Sequence, residues 1–228
     1  MNLKPKPDPQ KILQRASEVL DIEISGLAAI RDGLGRPFVD LVHRCLEILA
    51  GGGKLVLSGV GKSGHISQKI AATLASTGSR AVFMHPVEAM HGDLGVVAPQ
   101  DILLAVSYSG ETDELIAVLP AVKRLGVDII AITAKEDSRL GSIADLVVPM
   151  PVPREACPFN MAPTATTTAL AALGDALAMV LLDCHRFGIN DYAKLHPAGA
   201  IGRSISLTVK DLMRTGQRAP RVTPGASV

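Results

Sequence analysis

The stretch Ala105-Val-Ser-Tyr-Ser-Gly-Glu-Thr112 joins an apolar strand to a helix through a turn of hydroxyl side chains and one glycine. Ser107, Ser109 and Thr112 can each donate an O–H group, and Gly110 permits a close approach of the backbone to a ligand. The helix that follows would point its free N–H groups at the same place, which is a favourable setting for a phosphate. An ordinary turn with a helix N-cap has the same composition, so the surrounding sequence has to separate the two interpretations.

A second glycine loop, Gly59-Val-Gly-Lys-Ser-Gly64, follows the short apolar run 54–58 and precedes a helical pattern that we expect from Ile66 to Ser76. The spacing GxGxxG is that of a dinucleotide-binding loop, which also needs an acidic residue about 20 residues further on. The first acid after the next strand is Glu88, and this counts against a dinucleotide. A Walker loop is excluded because its first glycine would have to stand at Val56. The two loops together suit one small phosphorylated ligand.

Short apolar runs alternate with helical patterns along the middle of the chain, which indicates parallel βαβ units. We therefore predict an α/β fold with a doubly wound, five-stranded parallel sheet flanked by helices, a flavodoxin-like three-layer sandwich whose ligand lies at the carboxyl ends of the strands. The predicted strands are 54–58, 80–84, 101–106, 128–133 and 146–150, and the predicted helices between them are 113–125 and 138–144.

Two helices are predicted before the first strand, at 10–30 and 37–50, where they would pack outside the sheet or against another subunit. Residues 1–9 are charged and rich in proline, and we expect a flexible leader there rather than a signal peptide. After the fifth strand, residues 151–163 form a loop punctuated by proline, and a loop of this length in a compact domain is typically functional. The apolar segment 169–182 contains Asp175 and is shorter than a bilayer requires, so we interpret it as a buried helix.

The balance of charges excludes several classes of partner. The chain has 23 Lys and Arg residues against 22 Asp and Glu residues, so no basic field predicts binding to nucleic acid or to an anionic membrane. Its three cysteines show no zinc-like spacing, and an odd number suits a reducing cytoplasm. We expect a cytoplasmic protein.

With this background, the chain resembles the sugar isomerase (SIS) domain family, and within it the D-arabinose 5-phosphate isomerases. The resemblance covers about 12–216 and rests on long, ordered motifs. These are GVGKSGH, SYSGET, His85 to Gly95, Glu155 to Pro158 with Ala162 to Thr164, and His196 to Gly202. It implies an SIS domain at 10–207. Residues 208–228 resemble the opening of a CBS domain, and we expect the chain to stop before that module can fold and this segment to be disordered.

The activity implied by the resemblance is an aldose-ketose isomerisation. It would interconvert D-ribulose 5-phosphate and D-arabinose 5-phosphate through an enediolate by acid/base catalysis, and so supply Kdo for lipopolysaccharide or capsule. No cofactor is expected, and no metal, although inhibition by zinc stays open. The family also implies a homo-oligomer, a tetramer built as a dimer of dimers with sites at subunit interfaces.

Residue roles follow from the same resemblance. The catalytic side chains would be Lys62, His91, Glu114, Glu155 and His196. The substrate phosphate would be bound by Gly61, Ser63, Ser107, Ser109, Gly110 and Thr112. Our hypothesis is that Glu155 or His91 moves the proton, His196 assists ring opening and Lys62 stabilises the enediolate.

Several of these residues also have an ordinary structural interpretation. Lys62 can be a solvated lysine in the first turn of a helix, and His91 a loop histidine. Glu114 can simply complement the helix dipole, an interpretation that Glu111 shares, and only the resemblance selects Glu114. His85, at a strand end, is interpreted as structural.

Two other functions stay open from the sequence. A non-catalytic sugar-phosphate-sensing SIS module would use the same loops, although the first fifty residues show no helix-turn-helix pattern. An SIS isomerase acting on another sugar phosphate would share the terminal phosphate and hence the loop chemistry.

Overall fold

The computed structural model describes residues 8–185, 187–196, 209–219 and 225. The chain divides into two units, Met1–His185 and Arg186–Val228, and each is described by itself. Most of the predicted leader, residues 1–7, and Pro197 to Gly202 of the last motif lie outside the described residues.

The described part of the first unit contains a five-stranded parallel sheet. Its strands are β1 (Leu55–Gly59), β2 (Ala81–Phe83), β3 (Ile102–Val106), β4 (Asp128–Thr133) and β5 (Leu146–Pro149). They lie in the order β2-β1-β3-β4-β5, which is the flavodoxin-like doubly wound order. The predicted fold class and the predicted strands are confirmed, with bounds that differ by at most one residue at either end.

Helices cover both faces of the sheet. They are α1 (Pro9–Asp32), α2 (Arg36–Ala50), α3 (Gly61–Ser76), α4 (Pro86–Met90), α5 (Asp113–Arg124), α6 (Arg139–Ile143) and α7 (Ala165–Cys184), with a 3₁₀ turn at Asp93–Val96. One core cluster joins the sheet to α1, α2, α3 and α7, and the other joins it to α4, α5 and α6. Since both faces are covered, the central strands are continuous apolar runs rather than alternating ones.

Helix α7 is long enough and apolar enough to cross a membrane, judged by length and composition alone. Half of its most apolar window is buried inside the protein, where it packs against α1 and α3. A Cβ on Gly174 would lie 2.3 Å from the side chain of Ile70, so this glycine lets α3 and α7 approach closely. The interpretation of this segment as a buried helix is confirmed.

The helix starts differ from the sequence predictions in two places. Helix α3 begins at Gly61 rather than near Ile66, because its first turn, Gly61 to Gly64, contains no apolar residue that could reveal the helical period. The short helix α4 was not predicted, since five residues are too few for a periodic pattern. Pro86 opens α4, and His85 Nδ1 accepts a hydrogen bond from the N–H of Val87, which gives His85 a structural role.

The second unit is described in two pieces. Helix α8 (Ile189–Leu195) ends at His196, and helix α9 (Val209–Leu212) is followed by a 3₁₀ turn at Gly216–Arg218. The second piece falls in the segment that resembles the opening of a CBS domain, and that assignment stays a prediction.

Candidate active site

Both glycine loops leave the sheet at its topological switch point. Strands β1 and β3 are neighbours, and Gly59 pairs with Val106 at their carboxyl ends. From there β1 continues into α3 on one face of the sheet, and β3 continues into α5 on the other. Ligands of doubly wound sheets bind in the crevice that opens at this point.

The first loop is very short, because Val60 alone separates β1 from α3. Val60 offers no side-chain cap, so the first N–H groups of α3 are left for a ligand or water. A Cβ on Gly64 would lie 2.6 Å from the carbonyl oxygen of Gly59, which explains the third glycine of the motif by close packing. Lys62 is exposed in the first turn, and Ser63 is half-buried.

The second loop is held in shape by its own hydroxyl groups. Ser107 is 3% exposed, and its Oγ lies 2.8 Å from Thr112 Oγ1 and accepts a hydrogen bond from the N–H of Gly110 at 3.1 Å. Ser109 is exposed, and its Oγ accepts from the N–H of Glu111 at 3.2 Å. Thr112 is the N-cap of α5 but makes no side-chain capping bond. The turn is therefore built by Ser107, while the start of α5 stays uncapped, as an anion site requires.

The two acids that the residues alone did not separate occupy different surroundings. Glu111 is bound by Arg139, whose hydrogen bonds come first among the effects that lower the pKa of its carboxyl. Glu114 is exposed in the first turn of α5. Among the described residues its carboxylate has no hydrogen-bond partner, so Glu114 is the acid of this pair that is available to a ligand.

Glu155 caps the third helix that begins near this edge, α7. The residue is 9% exposed. Its carboxylate accepts hydrogen bonds from the N–H of Thr164 at 2.8 Å and of Thr166 at 3.3 Å, and from both threonine hydroxyls. Burial alone would raise the pKa of Glu155, but these hydrogen bonds outweigh it and leave the pKa below its ordinary value. Glu155 is thus an anion at neutral pH, placed at a positive helix end.

A cavity of about 190 Å³ brings the starts of α3 and α7 together with the second loop. Its walls include Ser63, Tyr108, Arg154, Glu155, Asn160 and Thr166. The volume is below the ~300 to 1,000 Å³ of pockets for drug-sized ligands and suits a small molecule. Of the predicted catalytic residues, the structure places Glu155 here, whereas Lys62, His91 and Glu114 lie exposed outside its walls.

The remaining predicted histidines occupy helix ends. His91 follows the last residue of α4 and is exposed. His196 ends α8, stacks on Tyr192 at 4.1 Å between ring centroids, and places Nδ1 2.9 Å from the carbonyl oxygen of Tyr192. Because a carbonyl only accepts, Nδ1 carries the hydrogen, and Nε2 of the neutral ring keeps its lone pair.

Sequence reasoning missed four polar residues of the cavity wall: Tyr108, Arg154, Asn160 and Thr166. Tyr108 donates its hydroxyl to the carbonyl of Val152 at 2.8 Å; burial, followed by the negative charge of Glu155, raises the pKa of this tyrosine. Asn160 has a left-handed φ of 52° and accepts the N–H of Glu155 at 2.7 Å. The sequence signal available for Asn160 was an asparagine in a proline-punctuated loop, because asparagine adopts a left-handed φ more readily than most residues.

Within the described ranges, no three His, Cys, Asp or Glu side chains gather as a metal site would require. The three cysteines are free thiols: Cys45 is buried, Cys157 is half-buried and Cys184 is exposed. The expectation of a protein without a resident metal stays a prediction.

A doubly wound parallel sheet with two uncapped helix starts at its switch point defines an α/β domain built to bind a small anionic ligand. The SIS domain model matches residues 48–180, and the chain belongs to the SIS domain family. The match confirms the resemblance to this family that the two glycine loops indicated.

The relatives extend this assignment. The chain is 46% identical over 215 residues to arabinose 5-phosphate isomerase KdsD of Salmonella typhi, and the match covers 94% of this chain and 65% of the relative. The protein of the same name from Pseudomonas aeruginosa is 46% identical over 200 residues, which cover 88% of this chain and 61% of that one. The chain thus spans about two thirds or less of the length of these curated relatives.

Among solved structures, E. coli CFT073 c3406 in complex with A5P is similar with a TM-score of 0.81 and 36% identity. The match covers 84% of this chain and 100% of that chain. The similarity therefore extends over the whole of that chain.

Proposed function

We propose that this protein is an aldose-ketose isomerase that interconverts D-ribulose 5-phosphate and D-arabinose 5-phosphate. The observation that carries the proposal is a cavity walled by Glu155, by Ser63 of the uncapped start of α3 and by Tyr108 of the second loop, which leads into the uncapped start of α5. The helix starts suit a terminal phosphate, and the cavity beside them suits the sugar carbons. The printed name of the relatives and the A5P complex of the solved structure support the choice of a pentose phosphate.

The reaction moves one proton between neighbouring carbons. From the open-chain aldose a base removes the hydrogen on C2, the electrons pass to the carbonyl oxygen on C1, and an enediolate forms. The oxygen on C1 gains a proton as the hydroxyl on C2 loses one, and return of the proton to C1 yields the ketose. No electrons are lost or gained overall, so no redox cofactor is required.

Glu155 is our proposed carrier of this proton. It is ionised and lines the cavity, whereas His91 lies exposed at the end of α4. Lys62, in the first turn of α3, would stabilise the enediolate oxygen, and Glu114 would contact substrate hydroxyls from the first turn of α5. His196, through Nε2, would assist ring opening.

Supplying several sugar phosphates separately and following each by NMR tests the proposal. We expect aldose formation from D-ribulose 5-phosphate and little turnover of hexulose or sedoheptulose phosphates. Binding of pentose phosphates without turnover would instead indicate a sensing module, and turnover of a different ketose phosphate would replace the substrate.

The pH dependence of kcat distinguishes the two proton carriers. The folded pKa of Glu155 is lowered, so its carboxylate form persists below the ordinary value of about 4.3, and the stability that it provides is lost only as pH falls through the folded pKa. We expect kcat at saturating substrate to stay level from about pH 7.5 to 5.5. A fall of kcat within this range that disappears in His91→Gln would assign the proton to His91.

The uncapped start of α5 gives a separate prediction for substrate binding. In Thr112→Ala the hydroxyl at the anion site is lost, and we expect KM to rise about tenfold, the value of one hydrogen bond to a charged group, with kcat nearly unchanged. Ser107→Ala should raise KM as well and also lower the melting temperature, since Ser107 builds the turn. Thr73→Ala, which removes a hydroxyl bonded only within α3, is the control. Unchanged KM in both variants would leave this stretch an ordinary turn.

We further propose a homo-oligomer, a tetramer of paired dimers in the cytoplasm. Support comes from exposed apolar residues of α1, namely Ile12, Leu13, Leu20 and Ile24, beside a groove of about 410 Å³ between α1 and α7.

We also propose that the protein supplies Kdo for lipopolysaccharide or capsule, and that a CBS region begins near residue 208. The name of the relatives supports the first proposal, and their greater length supports the second.

A further inference from the structure

We propose that Arg139 is a positioning residue that neutralises the acids of the phosphate loop and thereby allows a dianion to bind there. The inference rests on the proposed function, since it assigns the start of α5 to the substrate phosphate. Arg139 begins α6, which is 28 residues away from Glu111 along the chain.

The contacts of Arg139 converge on the loop. Its Nε donates to Glu111 Oε2 at 2.6 Å, and its backbone N–H donates to Oε1 of the same carboxylate at 3.0 Å. Its Nη2 donates both to the carbonyl oxygen of Glu111 at 2.8 Å and to Asp113 Oδ1 at 2.7 Å. One guanidinium therefore holds two carboxylates and one carbonyl on the segment that leads into α5.

The charges of this segment are the reason such a contact is needed. Glu111, Asp113 and Glu114 place three acids within four residues at the helix start where the phosphate is expected. Unpaired, they would oppose a phosphate that carries nearly two negative charges. Arg139 engages the first two, and its bond to the Glu111 carbonyl also fixes the peptide plane, so the N–H of Thr112 is directed the opposite way.

The exposure of the pair indicates that its main contribution is not to stability. The side chains of Arg139 and Glu111 are 50% and 44% exposed, and ion pairs this open to water contribute little to folding. Loss of Arg139 should thus leave the fold intact and change the potential at the ligand site. This separates Arg139 from a residue that merely holds the loop together.

Calorimetric binding of D-arabinose 5-phosphate, together with KM and kcat, tests the proposal in the full chain. We expect Arg139→Met to raise Kd and KM about tenfold at low salt with kcat changed less than threefold, and the effect to shrink as salt screens the freed carboxylates. The double variant Arg139→Met with Glu111→Gln has the same local charge as the unmodified loop. Its Kd should return to within about threefold of the original value.

Arg44→Met is the matched control, because Arg44 forms a similar exposed pair with Asp128 at the opposite end of β4. A normal Kd in Arg139→Met would overturn the proposal, and so would a double variant as weak as the single one, which would reduce Arg139 to a loop support. Binding without turnover by the unmodified protein would refute the isomerase function while leaving the role of Arg139 measurable. Absence of binding by the unmodified protein would refute both.

Discussion

Glu155→Gln is expected to lower kcat by about 10² to 10⁴ fold while leaving a folded protein, because general base catalysis contributes about this much. The amide oxygen can replace Oε2, which accepts three of the four hydrogen bonds. The amide nitrogen can donate to the Thr166 hydroxyl, which accepts as readily as it donates. The substitution therefore removes the charge and the base but keeps the cap of α7, at a cost of about 1 to 2 kcal/mol in stability.

Glu155→Ala should lose both functions, since it leaves the N–H groups of Thr164 and Thr166 buried without an acceptor. Comparison of the two variants in steady-state kinetics and thermal unfolding separates chemistry from capping. Glu47→Gln, on an exposed position of α2, is the control for the loss of one carboxylate. A kcat near normal in Glu155→Gln would remove Glu155 as the proton carrier.

Gly110→Ala is expected to give the largest loss of stability, about 3 kcal/mol, and to abolish tight substrate binding. Gly110 has a φ of 69°, which costs a residue with a Cβ about 1 kcal/mol. The added Cβ would also lie 1.9 Å from Ser138 Oγ and 2.3 Å from Ser138 Cβ, so the loop and the start of α6 must move apart, at a cost of about 1 to 3 kcal/mol. That movement would break the bond from the Leu140 N–H to the Gly110 carbonyl.

Gly126→Ala measures the stability cost of a positive φ without a steric clash, because Gly126 has a φ of 77° and no atom lies within 4 Å of its added Cβ. We expect this control to lose about 1 kcal/mol and to keep its KM, as measured by denaturant unfolding and kinetics. Equal losses in the two variants would show that the contact with Ser138 does not matter to the loop.

The sheet and its switch point could be predicted because their signals are local. An apolar run such as 102–106 predicts a buried strand without any information from distant residues, and each glycine loop follows its strand within a few residues. Parallel pairing then brings Gly59 and Val106 together, which places both loops at one edge of the sheet. The predicted start of α3 was wrong, because the glycine, lysine and serine residues of its first turn include no apolar side chain that would show the helical period.

The candidate site was less predictable because its contacts join distant segments. The sequence gives no sign that Glu155 caps a helix nine to eleven residues later, or that Arg139 reaches back to Glu111. Tyr108 stood inside the quoted motif, yet only the folded chain turns it toward the cavity beside Glu155. The roles of Lys62, His91, Glu114 and His196 stay predictions, and they rest on the resemblance.

Conversion of D-ribulose 5-phosphate in D₂O tests most directly the claim that this protein transfers a proton through an enediolate. With the reaction followed by NMR, the account predicts that D-arabinose 5-phosphate accumulates and carries deuterium on C2, because the proton carrier exchanges with solvent. Failure to form the aldose, or an aldose with only the substrate's own hydrogen on C2, would contradict it.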